Sequence, residues 1–185
     1  VGGTGFPETG KAAIRDWKPH LVYVQGGNTF WLYHCMEKGD WTQDLIDACF
    51  TKSDDGASPS SSSSSSTSFS SVYCGVSAGA ILVGESMQTA CWKEWDNPSV
   101  VPGRETYEDW TDIRGLDGAG RTSIFPHMTE EWQDLAERKT SELLLLFTDE
   151  PSLVSSSSSS SSVRCLRDDQ ACVVDGRRQT VTELI

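Results

Sequence analysis

The chain has 185 residues, a formal net charge of −12 at pH 7 and a pI near 4.5. This length suits one domain with a sizeable hydrophobic core. The acidic balance argues against a surface for nucleic-acid phosphates, because no basic cluster is present to displace counterions. No apolar stretch reaches the roughly 20 residues of a membrane span. We therefore expect a small molecule, a peptide or a protein as partner, rather than nucleic acid or a membrane, and the chain could also form an oligomer.

The first half of the chain predicts a repeated order of strand, turn and helix. Residues 21–24 are typical of a buried strand, and a Gly-rich turn leads from them into a helix. A second helix is predicted over residues 41–50. A strand at residues 72–74 then leads into a helix that begins near Ala78.

The second half continues the alternation and ends in a hairpin. A strand is predicted to end at Phe125, with a helix over residues 130–147 whose apolar end, residues 143–147, we expect to be buried. Two strands follow at residues 163–166 and 171–174, and Asp175-Gly176 is a hairpin signal before residues 180–184. The pattern predicts an α/β fold in three layers, with a mainly parallel sheet and a smaller antiparallel part.

Two homopolymeric serine tracts interrupt this pattern, at residues 60–66 and 155–162. Serine runs offer no apolar face and cannot offset the entropy of ordering a chain. We interpret residues 57–70 and 155–162 as low-complexity loops inserted in a single domain that covers residues 1–185.

The six cysteines lack metal-ligand spacing such as C-x-x-C. Because several lie within apolar runs, we expect reduced thiols in the core, which favours a cytoplasmic location. No metal site and no cofactor are predicted. The cysteines are Cys35, Cys49, Cys74, Cys91, Cys165 and Cys172.

A serine between small residues is the most informative feature. Ser77 follows the predicted strand within the segment GVSAGA, and a tight strand-to-helix turn would expose its hydroxyl as a nucleophile. A serine needs a base to accept its proton, and His127 is the one histidine of three that follows a predicted strand end. Two carboxylates could orient that base, Asp168 and Asp96, and the pattern does not choose between them.

Acyl transfer also needs N–H donors for the oxyanion that develops on the substrate. The backbone N–H of Ala78, directly after the serine, and one from Gly26-Gly27 on the neighbouring strand would form such a pair. The alternative for this turn, with Asn28 after it, is phosphate or nucleotide binding. It lacks the G-x-G-x-x-G spacing and the lysine of a P-loop.

Taken together, these segments resemble the peptidase E family of serine peptidases, the aspartyl dipeptidases, whose relatives include cyanophycinases. The resemblance implies a flavodoxin-like fold similar to class I glutamine amidotransferases, with Ser77 as nucleophile and His127 as base. In the family an acid has been placed at both matching positions, so Asp96 and Asp168 both remain candidates. The matching segments are GGNTF with Leu32, GVSAGA, DNP from Asp96, Pro126-His127 and LRDDQA from Leu166, in the family's order.

The chain departs from the family's pattern in two places. An arginine that binds the substrate's aspartate is expected soon after the histidine, whereas residues 130–135 here are acidic. The family's first strand is also absent, and residues 1–19 only partly substitute for it. We interpret the chain as a fragment of one peptidase E-like domain that lacks the N-terminal strand.

The resulting hypothesis is a serine peptidase that hydrolyses small peptides, as a dipeptidase or an isopeptidase, without a cofactor. One alternative is a serine esterase of the α/β-hydrolase type, although that fold usually places its histidine near the C-terminus. The other is an inactive relative that acts as a binding module.

Overall fold

The computed structural model describes residues 9–50, 71–102, 113–148, 161–175 and 180–184. The helices are α1 (Gly10–Trp17), α2 (Thr29–Lys38), α3 (Thr42–Cys49), α4 (Ala78–Leu82) and α5 (Gln133–Thr148). The strands are β1 (Leu21–Val24), β2 (Val72–Gly75), β3 (Thr122–Phe125), β4 (Ser162–Cys165), β5 (Ala171–Asp175) and β6 (Thr180–Leu184). Short 3₁₀ turns lie at Gln88–Cys91, Pro98–Val100 and Glu130–Trp132.

The strands form two parallel pairs and one antiparallel pair. β1 pairs with β2, β3 pairs with β4, and β5 forms a hairpin with β6. The α/β alternation and the antiparallel C-terminal part predicted from the sequence are therefore confirmed. Within the described ranges, however, the pairs are separate two-stranded sheets rather than the single sheet that we expected.

The free side of β3 is occupied by the chain that follows α4, not by β2. The N–H of Glu85 donates to the carbonyl of Thr122 at 3.1 Å. The Thr89 hydroxyl donates to the carbonyl of Ile124 at 2.6 Å. This segment satisfies backbone acceptors that a neighbouring strand would otherwise use.

Two apolar clusters form the core. The first joins helices α1 to α4 with the chain beyond them and contains Ile14, Phe30, Met36, Leu45, Ile81, Leu82, Met87, Ala90 and Val101. The second packs α5 on β3 and contains Trp92, Phe125, Ala136 and Leu143. Phe125 is fully buried, and residues just beyond it belong to the candidate site.

A close backbone contact fixes α4 against β1. A Cβ atom on Gly79 would lie 2.3 Å from the carbonyl oxygen of Val24, which only glycine avoids. The Tyr73 hydroxyl donates to the carbonyl of Gly79 at 2.7 Å, and burial raises the pKa of that phenol well above its usual range. The start of α4 is thus held directly at the end of β2.

Helix α1 was not predicted from the sequence. Thr9 caps it by accepting the N–H of Ala12 at 3.1 Å, and Ile14 is its one buried residue. Arg15 forms an ion pair with Asp44 of α3 at 2.5 Å. A helix of eight residues is too short to be stable alone in water, so its stability depends on contacts with α3.

Two expectations about burial need correction. Leu143 is buried, but Leu145 is 66% exposed and Leu146 is also exposed, so the apolar end of α5 is only partly covered. Cys35 and Cys74 are exposed rather than in the core.

The loop predicted over the second serine tract, residues 155–162, ends earlier than expected. Ser162 begins β4, and its N–H donates to the carbonyl of Arg121 at 3.0 Å. Residues 57–70 and 155–160 lie outside the described residues. No helix in the described part of the chain is long and apolar enough to cross a bilayer.

Candidate active site

Ser77 occupies a strained turn between β2 and α4. Its φ of 53° and ψ of −114° lie in a region that non-glycine residues rarely adopt, at a cost of about 1–3 kcal/mol. The carbonyl of Ser77 accepts N–H groups from Ala80 and Ile81, at 2.9 and 3.0 Å, so the helix begins at once. The side chain of Ser77 is half-buried between β2 and α4, and this turn holds its hydroxyl in place.

His127 faces this hydroxyl from the end of β3. Its Nε2 atom lies 3.0 Å from Oγ of Ser77, and its Nδ1 atom lies 2.6 Å from Oδ1 of Asp168. The parallel pairing of β3 and β4 brings base and acid together, because hydrogen bonds continue beyond both strands. The N–H of Leu166 donates to Phe125, and the N–H of Met128 donates to Leu166, each at 2.9 Å.

The hydrogen bonds define a direction for proton transfer. When Nδ1–H donates to Asp168, Nε2 is left to accept the O–H of Ser77. The side chain of His127 is 37% exposed and that of Asp168 is 78% exposed, so water competes for this carboxylate. The three side chains have the mutual geometry of a serine nucleophile, a general base and an orienting acid.

Asp96, the other candidate acid, is hydrogen-bonded elsewhere. Its Oδ2 atom accepts the N–H of Thr29 at 2.8 Å, at the first residue of α2. A carboxylate at a helix N-terminus satisfies an orphan donor and interacts favourably with the helix dipole. The carboxylate of Asp96 is therefore bound to the N-terminus of α2, although it also lines the cleft beside Ser77.

Asn28 caps the same helix. Its Oδ1 atom accepts the N–H of Trp31 at 2.9 Å, and its Nδ2 atom donates to the carbonyl of Asn97 at 3.2 Å. With both ends of the side-chain amide engaged, Asn28 ties α2 to the loop that carries Asp96.

The Gly-rich turn lies directly beside the serine. A Cβ atom on Gly26 would be 2.9 Å from Cβ and 3.3 Å from Oγ of Ser77, so a larger residue would crowd the hydroxyl. Gly27 has a φ of 142° and lines the cleft. Ala78, on the other side, is the first residue of α4, where the N–H has no acceptor in a preceding helical turn.

The cleft in front of these residues holds about 330 Å³ of empty space, part of it open to solvent. Trp95 forms an exposed wall, with its ring 6.0 Å from that of His127 and edge-to-face with Trp132 at 6.2 Å. An apolar group next to the scissile bond would pack against this aromatic surface. No three of the described His, Cys, Asp and Glu side chains cluster so that they could hold a metal ion.

Lys93 is a residue of this site that sequence reasoning missed. Its Nζ atom donates to the carbonyls of Pro126 and His127, the first at 3.1 Å. Desolvation lowers the pKa of the ammonium, and the charges of Asp168 and Glu131 oppose that shift. The only signal in the sequence is its place between Trp92 and Trp95, because an aromatic environment favours a buried cation.

Comparisons with known proteins support the fold. No family model matches the chain, and no curated protein sequence does. A similar solved structure is the 1.5 Å crystal structure of a protein from Listeria monocytogenes EGD-e described as a candidate peptidase E. It matches with a TM-score of 0.56 and 15% sequence identity, over 96% of this chain and 66% of that one. The chain thus has a peptidase E-like α/β fold and spans just under two thirds of that structure.

Proposed function

We propose that the protein is a serine peptidase that cleaves small peptides by acyl transfer. The observation that carries the proposal is the chain of contacts from Ser77 to His127 to Asp168, at 3.0 and 2.6 Å, on the strained turn of Ser77. An isolated serine, histidine and aspartate are common, but a strained serine aligned with a base and an acid is typical of a nucleophile.

The first half-reaction forms an acyl-enzyme. Oγ of Ser77 attacks the substrate carbonyl while Nε2 of His127 takes the hydroxyl proton. The developing oxyanion is stabilised by the N–H of Ala78 and by one from Gly26-Gly27. When the intermediate collapses, the C–N bond breaks and His127 delivers its proton to the departing amine.

The second half-reaction restores the enzyme. Water enters in place of the amine, loses a proton to Nε2 of His127 and attacks the acyl carbonyl. Ser77 then leaves as the alcohol and recovers its proton from the imidazolium. Asp168 orients the ring and stabilises the imidazolium throughout, and every proton that leaves Ser77 or water passes through one nitrogen.

The finer fold assignment is part of the same proposal. A single domain like those of class I glutamine amidotransferases would place both parallel strand pairs and their C-terminal ends around one site. Open α/β folds bind their ligands at such strand ends. The peptidase E description of the Listeria protein supports this assignment.

Peptides without an N-terminal aspartate fit the site best. The segment after His127 carries exposed Glu130 and Glu131, and Asp168 is exposed nearby, so a substrate carboxylate would meet negative charge. The wall formed by Trp95 favours apolar side chains instead. Esterase activity is the alternative, since the same triad cleaves esters.

A panel of dipeptides, isopeptides and p-nitrophenyl esters, varied in the N-terminal residue, tests the proposal. Ser77→Ala is the test variant, and Ser141→Ala is its matched control because Ser141 lies on α5 and donates to the carbonyl of Glu137. We expect amide hydrolysis by the wild type and the control, with a loss of at least about 10³ in kcat for Ser77→Ala. Hydrolysis of esters alone would favour the esterase, and equal rates in both variants would refute the proposal.

A further inference from the structure

Lys93 is an almost fully buried cation behind the candidate base. Its relative exposure is 8%, and it lies on the loop between the 3₁₀ turn Gln88–Cys91 and Asp96. No carboxylate among the described residues lies within ion-pair distance of its Nζ atom. Its two hydrogen-bond acceptors are the consecutive backbone carbonyls of Pro126 and His127.

Three aromatic rings surround the ammonium. Nζ lies 4.5 Å from the ring centre of Trp95, 4.7 Å from that of Phe125 and 5.4 Å from that of Trp132. The negative faces of these rings replace part of the lost hydration of the cation. The rings also fix where the ammonium can lie, and from that position it reaches the carbonyls of both Pro126 and His127.

The backbone at this peptide needs such support. His127 has a φ of 56°, which a non-glycine residue keeps only when its surroundings hold it there. The amide of Met128 is fixed by the carbonyl of Leu166 on one side, and Lys93 fixes the carbonyls on the other. If this peptide rotated, the imidazole would move away from Oγ of Ser77, which now lies at 3.0 Å.

We propose that Lys93 is a positioning residue, whose ammonium holds the Pro126-His127 peptide so that the imidazole stays in line between Ser77 and Asp168. This inference rests on the proposed serine chemistry. Lys93 acts through the backbone and takes no proton from the substrate. A displacement of about 1 Å in such a group can cost about a hundredfold in rate.

The test uses the labelling rate of Ser77 by a fluorophosphonate, because this reaction needs the base but no particular peptide. The test variant is Lys93→Met, which keeps a long apolar chain among the rings and removes the ammonium. Lys139→Met on α5 is the matched control, since Lys139 forms only an exposed ion pair with Glu142. Rates are normalised to the folded fraction measured by circular dichroism.

We expect Lys93→Met to be labelled at least tenfold more slowly than the wild type, and Lys139→Met to be labelled at the wild-type rate. In Lys93→Ala, added ethylammonium should restore part of the lost rate in a saturable manner. A purely structural lysine would lower the melting temperature but leave the normalised rate unchanged, and that result would overturn the inference.

The outcomes separate this inference from the proposed function. An unlabelled wild type refutes the serine chemistry itself, whereas a labelled wild type with an equally labelled Lys93→Met refutes only the role of Lys93. If the methionine variant does not fold, Lys93→Gln decides in its place, because its amide can donate to one carbonyl and so support folding, but it cannot hold both carbonyls as the ammonium does. A tenfold loss in that variant supports the proposal, and a wild-type rate overturns it.

Discussion

The carboxylate of Asp168 contacts Nδ1 of His127 at 2.6 Å, although 78% of its side chain is exposed to solvent. In the serine proteases that define this triad, the acid is buried, and its replacement by asparagine costs about 10⁴ in kcat. Water can partly replace an exposed partner. We therefore expect Asp168→Asn to lower kcat by about 10²–10³, less than in those enzymes.

Asp96→Asn provides the matched comparison, because Asp96 lines the same cleft but accepts the N–H of Thr29. An asparagine can still cap α2, so kcat should stay within about fivefold of the wild type while KM rises. Both variants are measured at saturating substrate. If Asp96→Asn alone lost kcat, Asp168 would not be the orienting acid.

The strained turn predicts an unusual stability difference at position 77. Glycine tolerates a positive φ, so Ser77→Gly should relieve backbone strain that Ser77→Ala retains. We expect the glycine variant to be more stable than the alanine variant by about 1 kcal/mol, opposite to the order of these two residues in a helix interior. Urea unfolding of the two inactive variants measures this difference in the free energy of unfolding. A glycine variant less stable than the alanine variant would argue against strain at Ser77.

The approach of α4 to β1 predicts a strong effect of one methyl group. In Gly79→Ala the new Cβ would overlap the carbonyl oxygen of Val24, 2.3 Å away, so the backbone must shift. We expect a loss of about 1–3 kcal/mol in the free energy of unfolding, with reduced labelling of Ser77. Gly120→Ala is the control, because open space surrounds that site. The only expected loss of stability there comes from the backbone strain of an alanine at a φ of 63°. Equal losses would mean that the close contact has no special cost.

Burial of Cys49 predicts a loss of stability at alkaline pH. Desolvation raises the pKa of this thiol from 9.0 to about 11, so the folded state holds its proton where the unfolded state releases it. The stabilisation is therefore complete below about pH 9 and is lost as the pH rises towards 11. Urea unfolding at pH 8 and pH 10 measures this.

Cys49→Ala should show a smaller decrease in stability between those pH values than the wild type. Cys35→Ala, which removes an exposed thiol on α2, should retain the wild-type decrease. The neighbouring Tyr73 contributes above pH 10, since burial raises the pKa of its phenol as well. An unchanged decrease in Cys49→Ala would show that this thiol is not the group responsible.

Local sequence patterns predicted much of the fold. Apolar runs predicted β1 and β2 within one residue, the first Gly turn predicted that a helix follows it, and Asp175-Gly176 predicted the hairpin of β5 with β6. Helix α1 was missed because its stability comes from contacts with α3, such as the ion pair between Arg15 and Asp44. The separation of the strands into pairs was also not predicted. It depends on hydrogen bonds between β3 and the segment after α4, which the sequence pattern does not show.

In the candidate site, too, local features were predicted and long-range contacts were not. Short-range features pointed to Ser77 and His127, since each follows a strand and the turn chemistry is local. The choice between Asp96 and Asp168 required the register of β4 against β3, which places residue 168 beside the imidazole. Lys93 was missed because its partners are backbone carbonyls more than 30 residues away. Every residue has such a carbonyl, so the residue types in the sequence do not indicate the contact.

The central claim is that Ser77 is a nucleophile activated by His127, and fluorophosphonate labelling with mass-spectrometric mapping tests it most directly. We expect one phosphonate per folded chain, attached to Ser77, with no labelling in Ser77→Ala and a loss of at least about a hundredfold in rate in His127→Ala. Labelling of Ser77→Ala at the wild-type rate, or a folded wild type that is not labelled at all, would contradict the account.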